Sequence, residues 1–475
     1  MVATKTKTGF TEGSIFDKLL FFVLPMMVTN LLQTFYSAAD MMVVSLSSES
    51  NAVGAIGTTT SFISLVVNLF IGFSVGANVV VARTIGANDA EGTKKAVHTA
   101  LLIGLIFGLA GCGIGFFVAR PVLSAMGNQA NLLDLAVKYV QIYFLGIPFL
   151  ALTNYLSAIF RAKGDAKTPL IVLSTAGVIN VLLNLFFVLV LKMSVEGVAL
   201  ATTAANIFSV VILTWRLSKD EDMTTFSFAD LRIDKQSFQE IVSIGLPAGI
   251  QGSLFSLSNM LIQSSVVSVN NASMPAGTDY QPIVNGNAAA ASLTNFIYAA
   301  MNAVTQGGVT FTGQNMGAKK PERVKPILYN CFLITMIIGL TFTALLLLLK
   351  EPLLSLYDIK KGAEGSLESM AFEAADLRMW LIGAPYFLFG LMDDCSGVLR
   401  GLGKSLLSTV ISLIGTCLLR VVWLLVFFPM NPTLWMVFIC YPVTWILTGM
   451  VDFIVVQVLL KKSIKQNTPP IEEGV

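Results

Sequence analysis

Apolar segments long enough to cross a lipid bilayer recur from one end of this chain to the other. A transmembrane helix needs about 20 consecutive, mostly apolar residues. Charged residues make up 12% of the 475 residues, well below the usual globular share, and hydrophobic residues make up 55%. The sequence therefore predicts an all-α polytopic membrane protein.

We predict twelve membrane-spanning helices from these segments. Their predicted bounds are 16–46, 53–82, 94–119, 134–157, 169–191, 195–217, 238–269, 286–314, 324–349, 372–398, 405–429 and 432–460. The first segment is longer than the apolar region of a cleaved signal peptide, so we expect it to be retained as a helix.

The distribution of Lys and Arg between these segments predicts the orientation. The N-terminal tail, the even-numbered connections and the C-terminal end hold most of them, including Arg83, Lys163 and Lys319. The odd-numbered connections hold few, chiefly Lys192, Lys350, Lys360 and Lys361. By the positive-inside rule, both termini are predicted to be cytoplasmic.

Motifs for catalysis, cofactors and nucleic-acid binding are missing from the sequence. The five cysteines all lie within apolar segments, where they are interpreted as packing residues and not as a disulfide or metal set. The net charge of +2 follows the membrane topology and does not indicate nucleic acid as a partner. We predict a protein that is not an enzyme, needs no cofactor and works as a monomer in the bilayer.

The two halves of the chain resemble each other. "TIGANDAEGTKK" (84–95) matches "NMGAKKPERVKP" (315–326) at an offset of 231, and "FRAKG" (160–164) matches "LRGLG" (399–403) at 239. Two further pairs match in the same order, and a longer loop at 270–286 explains the change of offset. We predict two parallel six-helix lobes around a central cavity. Their bounds are 1–217 and 238–461, with a cytoplasmic linker at 218–237 and a tail at 462–475.

Polar residues of three predicted helices share one depth in the first lobe. At roughly 1.5 Å per residue, Asp40 lies about two turns inside the outer end of the first helix. Asn184 of the fifth helix and Thr202 of the sixth lie at a similar depth, and Asn180 shares a helix face with Asn184. One carboxylate with neutral oxygen ligands suits a proton or a weakly held Na⁺ and does not suit zinc.

Each of these residues also has a structural interpretation. Asn and Thr in membrane helices often serve only as hydrogen-bonding partners between helices. An acid in a membrane span is expected to be functional, because inserting it charged costs roughly 2.5 kcal/mol or more. We therefore predict an ion-coupling set centred on Asp40, with Asn180, Asn184 and Thr202 around it.

Other charged residues of the spans carry weaker predictions. Asp393 and Asp394 lie about two turns from the cytoplasmic end of the tenth helix, where we expect placement at the membrane interface. His98 follows Lys94 and Lys95 at a helix start, where an interfacial position is also expected. A structural network is predicted around Arg420, with Arg378, Asp376 and Glu373 near its level.

The chain resembles the multidrug and toxic compound extrusion (MATE) family over nearly its whole length. The resemblance is carried by "LPMMVTNLLQTFYSAAD" (24–40), "GANDAEGTKKA" (86–96), "FRAKGDAKTP" (160–169), "VEGVALAT" (195–202), "GQNMGAKKPERV" (313–324) and "LRGLGKS" (399–405). It implies alternating access, a cavity for bulky amphipathic or cationic compounds, and efflux driven by inward H⁺ or Na⁺. It also implies a location in a bacterial cytoplasmic membrane. In the prokaryotic branch with its ion site in the N-terminal lobe, the motif positions match Asp40, Asn180, Asn184 and Thr202 here.

The chain also departs from that family pattern. The branch usually carries a second acid where this chain has Asn184, which disfavours Na⁺ and leaves H⁺ as the favoured coupling ion. Another branch carries a glutamate in the seventh helix. Here the corresponding region has no acid and offers neutral polar residues such as Gln251, Ser256 and Asn259.

The family resemblance implies that the first, second, seventh and eighth helices line the central cavity. The candidate lining residues are Gln33, Tyr36, Met41, Asn259, Met260, Asn287, Asn295, Tyr298 and Met301. A lipid-linked oligosaccharide flippase is the alternative transport function, although it would be expected to offer several Arg or Lys residues to a pyrophosphate. Export of one specific metabolite is a further alternative.

Overall fold

The computed structural model describes residues 9–45, 52–125, 130–274, 281–363 and 365–467, and these contain helices and no strand. The first eight α-helices are α1 Ile15–Ser45, α2 Ala52–Gly86, α3 Ala90–Ala125, α4 Ala130–Leu145, α5 Ile147–Ala162, α6 Lys167–Leu185, α7 Val195–Lys219 and α8 Lys235–Ser273. The others are α9 Pro282–Gly317, α10 Val324–Leu348, α11 Lys350–Ser355, α12 Leu367–Arg378, α13 Tyr386–Gly401, α14 Ser405–Ser412, α15 Leu419–Val426 and α16 Leu434–Asn467.

The twelve predicted spans each correspond to a helix or to a broken pair of helices, which confirms the all-α membrane fold. Within the described residues, nine helices are long and apolar enough to cross a membrane, or ten if α4 and α5 form one bent span. The two remaining predicted spans are α9 and the pair α12–α13. They are more polar because α9 is rich in Asn, Thr and Gln, and α12–α13 carries several charges.

Several predicted spans are interrupted where a continuous helix was expected. The helices α4 and α5 meet at an angle of 46°. Pro148 lies in the first turn of α5. In a continuous helix its ring would collide with the carbonyl group of the preceding turn, and its nitrogen has no hydrogen to donate. Wider π-helical turns interrupt three other spans, at Phe186–Val190, Met379–Gly383 and Leu413–Leu418.

The chain divides into two compact units. The first contains residues 1–253, 310–320 and 401–406, and the second contains 254–309, 321–400 and 407–475. The units follow the order of the two predicted lobes, except that three segments of the predicted second lobe (238–253, 310–320 and 401–406) belong to the first unit. The exact lobe and linker boundaries stay a prediction.

The outer helix surfaces of both units are apolar, as a lipid environment requires. Phe21 and Phe117 in the first unit are 74% and 79% exposed, and Leu425 in the second is 72% exposed. An aqueous surface rarely carries so many large apolar side chains together. The first unit has its buried core around Phe70, Leu123 and Phe144. The second has a core that includes Ile262, Phe438 and Trp445.

Two glycines at matching positions of the sequence repeat bring α2 and α9 together inside the first unit. A Cβ atom on Gly86 would lie 2.0 Å from the Gln314 carbonyl oxygen, and one on Gly317 would lie 2.0 Å from the Arg83 carbonyl oxygen. These contacts are equivalent, because the offset of 231 converts Arg83 to Gln314 and Gly86 to Gly317. Glycine is needed at both positions since any side chain would collide with backbone.

The side chains of Arg83 and Gln314 repeat this symmetry. Arg83 Nη2 donates to the Gly401 carbonyl oxygen at 3.1 Å, and Gln314 Nε2 donates to the Ala162 carbonyl oxygen at 2.7 Å. Residues 162 and 401 are related by the second repeat offset, 239. The internal repeat read from the sequence is thus visible as paired contacts in the structure.

The segment 218–237 packs against the start of α3 through His98. The His98 ring is 1% exposed, and its Nδ1 lies 2.7 Å from the Lys94 carbonyl oxygen, to which it donates. Its Nε2 accepts from the Ser227 backbone N–H at 3.1 Å, and the ring stacks on Phe226. The expected interfacial position is therefore corrected: His98 is a buried anchor for this connection.

Candidate functional site

Three helices of the first unit supply the polar residues predicted to form the ion site. Asp40 comes from α1, Asn180 and Asn184 from α6, and Thr202 from α7. The spacing of four residues places both amides on one face of α6. Asn184 is fully buried and Asn180 is 6% exposed, so the amides lie inside the helix packing.

The four side chains form one hydrogen-bonded group. Asn184 Nδ2 donates to Asp40 Oδ1 at 2.5 Å. We assign the Asn180 amide with its nitrogen towards the carboxylate, because in that orientation it donates to Asp40 Oδ1 at 2.7 Å. Its oxygen then accepts from the Thr202 backbone N–H at 3.2 Å and faces Thr202 Oγ1 at 3.3 Å. The structure thus brings together the four residues selected from the sequence.

One acceptor in this group has no hydrogen-bond partner. Asn184 Oδ1 is buried and receives no hydrogen bond within the described structure. Buried polar atoms are normally satisfied, and an orphaned one is found mainly where a function or a ligand requires it. The group therefore combines one acid, its two amide donors and a free amide oxygen.

Tyr36 positions α1 against α6. Its hydroxyl donates to the Ser174 carbonyl oxygen at 3.1 Å, and a Cβ atom on Gly177 would lie 1.9 Å from its ring. Gly177 therefore allows the ring to lie flat on α6, about one turn before Asn180. This contact holds α1 close to α6, so that Asp40 reaches Asn184.

Two tyrosines of α4 lie beside this group and were not predicted from the sequence. Tyr139 is 7% exposed, and both Tyr139 and Tyr143 interact electrostatically with Asp40. Their spacing of four residues was a detectable signal, since it places two phenol groups on one face of the helix.

The predicted lining residues fall into different environments. Gln33, Asn259, Met260, Asn295 and Tyr298 are exposed in the structure, and Tyr36 is half-buried. The side chain of Met41 lies outside the part of the structure that is described. Exposure of this kind is compatible with a cavity wall and with a lipid-facing surface.

Two other predicted lining residues are buried in the second unit. Met301 is 1% exposed and packs beside Gly339 and Gly390. Asn287 is 3% exposed, accepts from Arg378 Nη1 at 2.8 Å and donates to Gln263 Oε1 at 2.8 Å. Because both are engaged within the helix packing, we leave them out of the proposed lining.

The charged residues of the second unit differ in part from the prediction. Arg420 lies 4.2 Å above the ring of Tyr441, and Arg378 also faces this ring at 5.9 Å. Asp376 instead pairs with Lys350 at 2.5 Å. The expected interfacial position of Asp393 and Asp394 is corrected, because their side chains are 8% and 1% exposed within the helix packing.

Comparison with known proteins decides the family. A family model described as MatE matches residues 25–186 and 247–426, which is well over half of the chain. This chain belongs to the MATE family. The MATE resemblance found in the sequence is thereby confirmed, together with the multi-pass membrane character of the protein.

The MATE relatives include bacterial proteins of similar length. The probable multidrug resistance protein YoeA of Bacillus subtilis (strain 168) is 27% identical over 412 residues, 85% of each chain. The multidrug export protein MepA of Staphylococcus saprophyticus is 23% identical over 55% of this chain and 58% of its own.

Solved structures share the fold at lower sequence identity. An outward-facing multidrug resistance MATE transporter of the MOP superfamily aligns with a TM-score of 0.86, covering 97% of this chain and 100% of its own at 19% identity. A MOP superfamily transporter from Pyrococcus furiosus aligns with a TM-score of 0.87 over 97% of this chain and 99% of its own, at 20% identity.

Proposed function

We propose that this MATE protein is a secondary active efflux transporter that exports small amphipathic or cationic organic compounds in exchange for H⁺. Membership of the family supports transport, and the names of YoeA and MepA support multidrug export. The observation that carries the coupling step is the contact between Asp40 and Asn184 within a buried three-helix site.

Asp40 is the group that exchanges the proton in this mechanism. In the geometry described, both amide nitrogens donate to Asp40 Oδ1, an arrangement that stabilises the ionised carboxylate. A proton that reaches Asp40 removes its charge and weakens both hydrogen bonds. Protonation would then loosen α1 from α6, which is the kind of local change that biases a transporter between two states.

Sodium is the alternative coupling ion. A Na⁺ site needs several oxygen ligands, and Asp40, Thr202 and the unpaired Asn184 Oδ1 could supply some of them. The amide at position 184 gives less negative charge than a second carboxylate would. This difference favours H⁺.

The distribution of basic residues supports an orientation with both termini in the cytoplasm of a bacterial cell. The ends of α2 and α9 that meet at Gly86 and Gly317 would then face the cytoplasm. The proposed cavity lining comprises Gln33, Tyr36, Met41, Asn259, Met260, Asn295 and Tyr298. We further propose that the transporter acts as a monomer.

Purified protein in liposomes tests this function. Counter-flow of a panel of organic cations and neutral amphipathic compounds would first identify a substrate. Export of that substrate is then measured under a proton gradient alone and under a sodium gradient alone. The proposal expects export with the proton gradient, and export that needs only sodium would reject H⁺ coupling.

A further inference from the structure

The connection between α7 and α8, residues 220–234, carries large apolar side chains on its outside. Phe228 is 76% exposed, and Leu231 and Ile233 are exposed as well. These three residues, which we call the apolar group, lie within six positions of one another in the chain. A connection that faces water normally exposes polar side chains, so a group of exposed large apolar residues indicates that something other than water covers it.

Contacts with α3 fix the backbone that carries the apolar group. The Asp234 N–H donates to Thr99 Oγ1 at 2.9 Å, and the Asp230 carboxylate pairs with Lys94 Nζ at 2.7 Å. The buried His98 ring accepts from the backbone N–H just before the apolar group. The exposure of the apolar group therefore follows from defined contacts at the start of α3.

The face of α3 beneath this connection becomes an exposed apolar surface further along the helix. Lys94 and His98 are followed on the same face by Leu105 and Leu109, because steps of four and seven residues return to one side of a helix. Both leucines are exposed. At roughly 1.5 Å per residue, Leu105 lies about 10 Å beyond His98 along the helix axis. Since each headgroup layer of a bilayer is roughly 5–8 Å thick, the connection lies close to the level of the lipid headgroups.

The end of α7 gives a second, independent marker of this level. Trp215 lies in the last turns of α7 and is 54% exposed. Two residues later, the Leu217 carbonyl oxygen accepts from the Phe226 N–H at 3.2 Å, so the connection returns to this part of α7. Exposed Trp side chains are enriched where a membrane meets water. Both α3 and α7 therefore place the connection at the membrane interface.

The charges of the connection suit a surface rich in phosphate. Four of its five acids are engaged within the protein. Asp220 and Asp222 contact Lys163, Asp230 pairs with Lys94, and Asp234 accepts from the Ser237 N–H. The cations Arg232 and Lys235 are exposed and lie on either side of Ile233 in the chain. Basic residues beside an apolar group are attracted to anionic lipids.

We propose that this connection docks on the lipid bilayer, with the apolar group inserted among the lipids of one leaflet and Arg232 and Lys235 in contact with anionic headgroups. Continuity with the exposed apolar face of α3 favours lipid over a second copy of the chain or a soluble protein, because a membrane protein presents that face to lipid. The inference needs only the multi-pass membrane character of the protein and does not rest on the proposed export function.

Photo-cross-linking of the full-length protein tests this proposal. Benzoylphenylalanine, a photoreactive relative of phenylalanine, replaces Phe228, and the protein is reconstituted at one copy per lipid nanodisc. The exposed residue Phe117 of α3 supplies the comparison inside the predicted span, and the exposed Glu91 in the first turn of α3 supplies the comparison in water. Lipid adducts are measured by mass spectrometry after illumination.

We expect position 228 to form lipid adducts at a level similar to position 117 and several-fold above position 91. If the substitution at Phe228 prevents folding, the same photoreactive residue replaces Ile233. An adduct yield at the connection no higher than at position 91 would overturn the proposal. Cross-linking of the connection to a second copy in liposomes that hold many copies, in place of lipid, would also overturn it.

A mixture of anionic and neutral lipids tests the two cations. In nanodiscs that contain equal amounts of phosphatidylglycerol and phosphatidylcholine, adducts at position 228 should be enriched in phosphatidylglycerol. Arg232→Gln and Lys235→Gln should each lower that enrichment by up to about fivefold, the attraction of one basic residue to an anionic membrane surface. Lys192→Gln, at an exposed cation between α6 and α7, is the control and should leave it unchanged. Equal recovery of the two lipids in the wild type would overturn the proposed contact with anionic headgroups.

Discussion

Asn184 donates its amide hydrogen to Asp40 across 2.5 Å, while the oxygen of the same amide is buried without a partner. The Asn184 side chain therefore donates a hydrogen bond to the Asp40 carboxylate and keeps its own oxygen available as an acceptor. In the proposed coupling site, such an unsatisfied group offers a place where the ion-bound state can gain a new contact.

Replacing Asp40 by Asn is expected to abolish gradient-driven export while the protein still folds. The amide keeps the shape of the side chain but exchanges no proton near neutral pH. Transport in liposomes and the elution profile of the purified protein are the measurements. Asp134→Asn serves as a control, because Asp134 is a largely exposed acid of the same unit. Normal export by the Asp40→Asn protein would disprove the assignment.

Replacing Asn184 by Asp is expected to increase the dependence of export on sodium. The substitution keeps an oxygen ligand and adds a second negative charge beside Asp40, which strengthens binding of a cation. Export rates at a series of Na⁺ concentrations, with the proton gradient collapsed, measure the effect. Asn206→Asp places a charge nearby on α7 and is the comparison. Equal sodium dependence in the wild type and Asn184→Asp would contradict the expectation.

Replacing Gly317 by Ala is expected to destabilise the protein by about 1–3 kcal/mol, the usual range for overpacking. The new Cβ atom would lie 2.0 Å from the Arg83 carbonyl oxygen, so α2 and α9 would have to separate. Gly86→Ala should act similarly through Gln314. Thermal unfolding in detergent is the measurement.

Gly113 provides the matched control for these two substitutions. It lies within α3, and a Cβ atom there would meet no heavy atom within 4 Å. Gly113→Ala should therefore be neutral or slightly stabilising, because alanine favours the helix. Equal effects at Gly113 and Gly317 would show that the close approach of α2 and α9 is unimportant for stability.

Replacing Phe10 by Ala is expected to release the N-terminal segment from α9. The Phe10 ring stacks on Phe311 with centroids 3.8 Å apart, and the Phe10 N–H donates to Gln314 Oε1 at 3.0 Å. Hydrogen exchange at residues 9–14 should become faster in Phe10→Ala, and Phe10→Leu should have a smaller effect. Unchanged exchange in Phe10→Ala would indicate that the backbone hydrogen bonds hold this segment without the ring.

The sequence determined the class of fold and the repeat, and it selected the four residues that the structure brings together around Asp40. Hydrophobicity along a membrane span and the spacing of residues on one helix face are local properties, and both are written directly in the sequence. Asp40, Asn180, Asn184 and Thr202 could be grouped because each lies at a similar depth on a regular helix. The matching glycines at 86 and 317 could be found because the repeat keeps a constant offset.

Only the tertiary structure decided which polar residues are buried and which residues they contact. Asp394 could be read as interfacial from its position on one helix, but its partners Thr305 and Thr335 come from spans 89 and 59 residues away. From the sequence, Asn287 and Met301 were as suitable for the cavity lining as the other candidates. The packing of the second unit buries both of them. The reason is physical: burial depends on which helix faces meet, and a helix crossing depends on contacts such as Gly86 with Gln314, far apart in the chain.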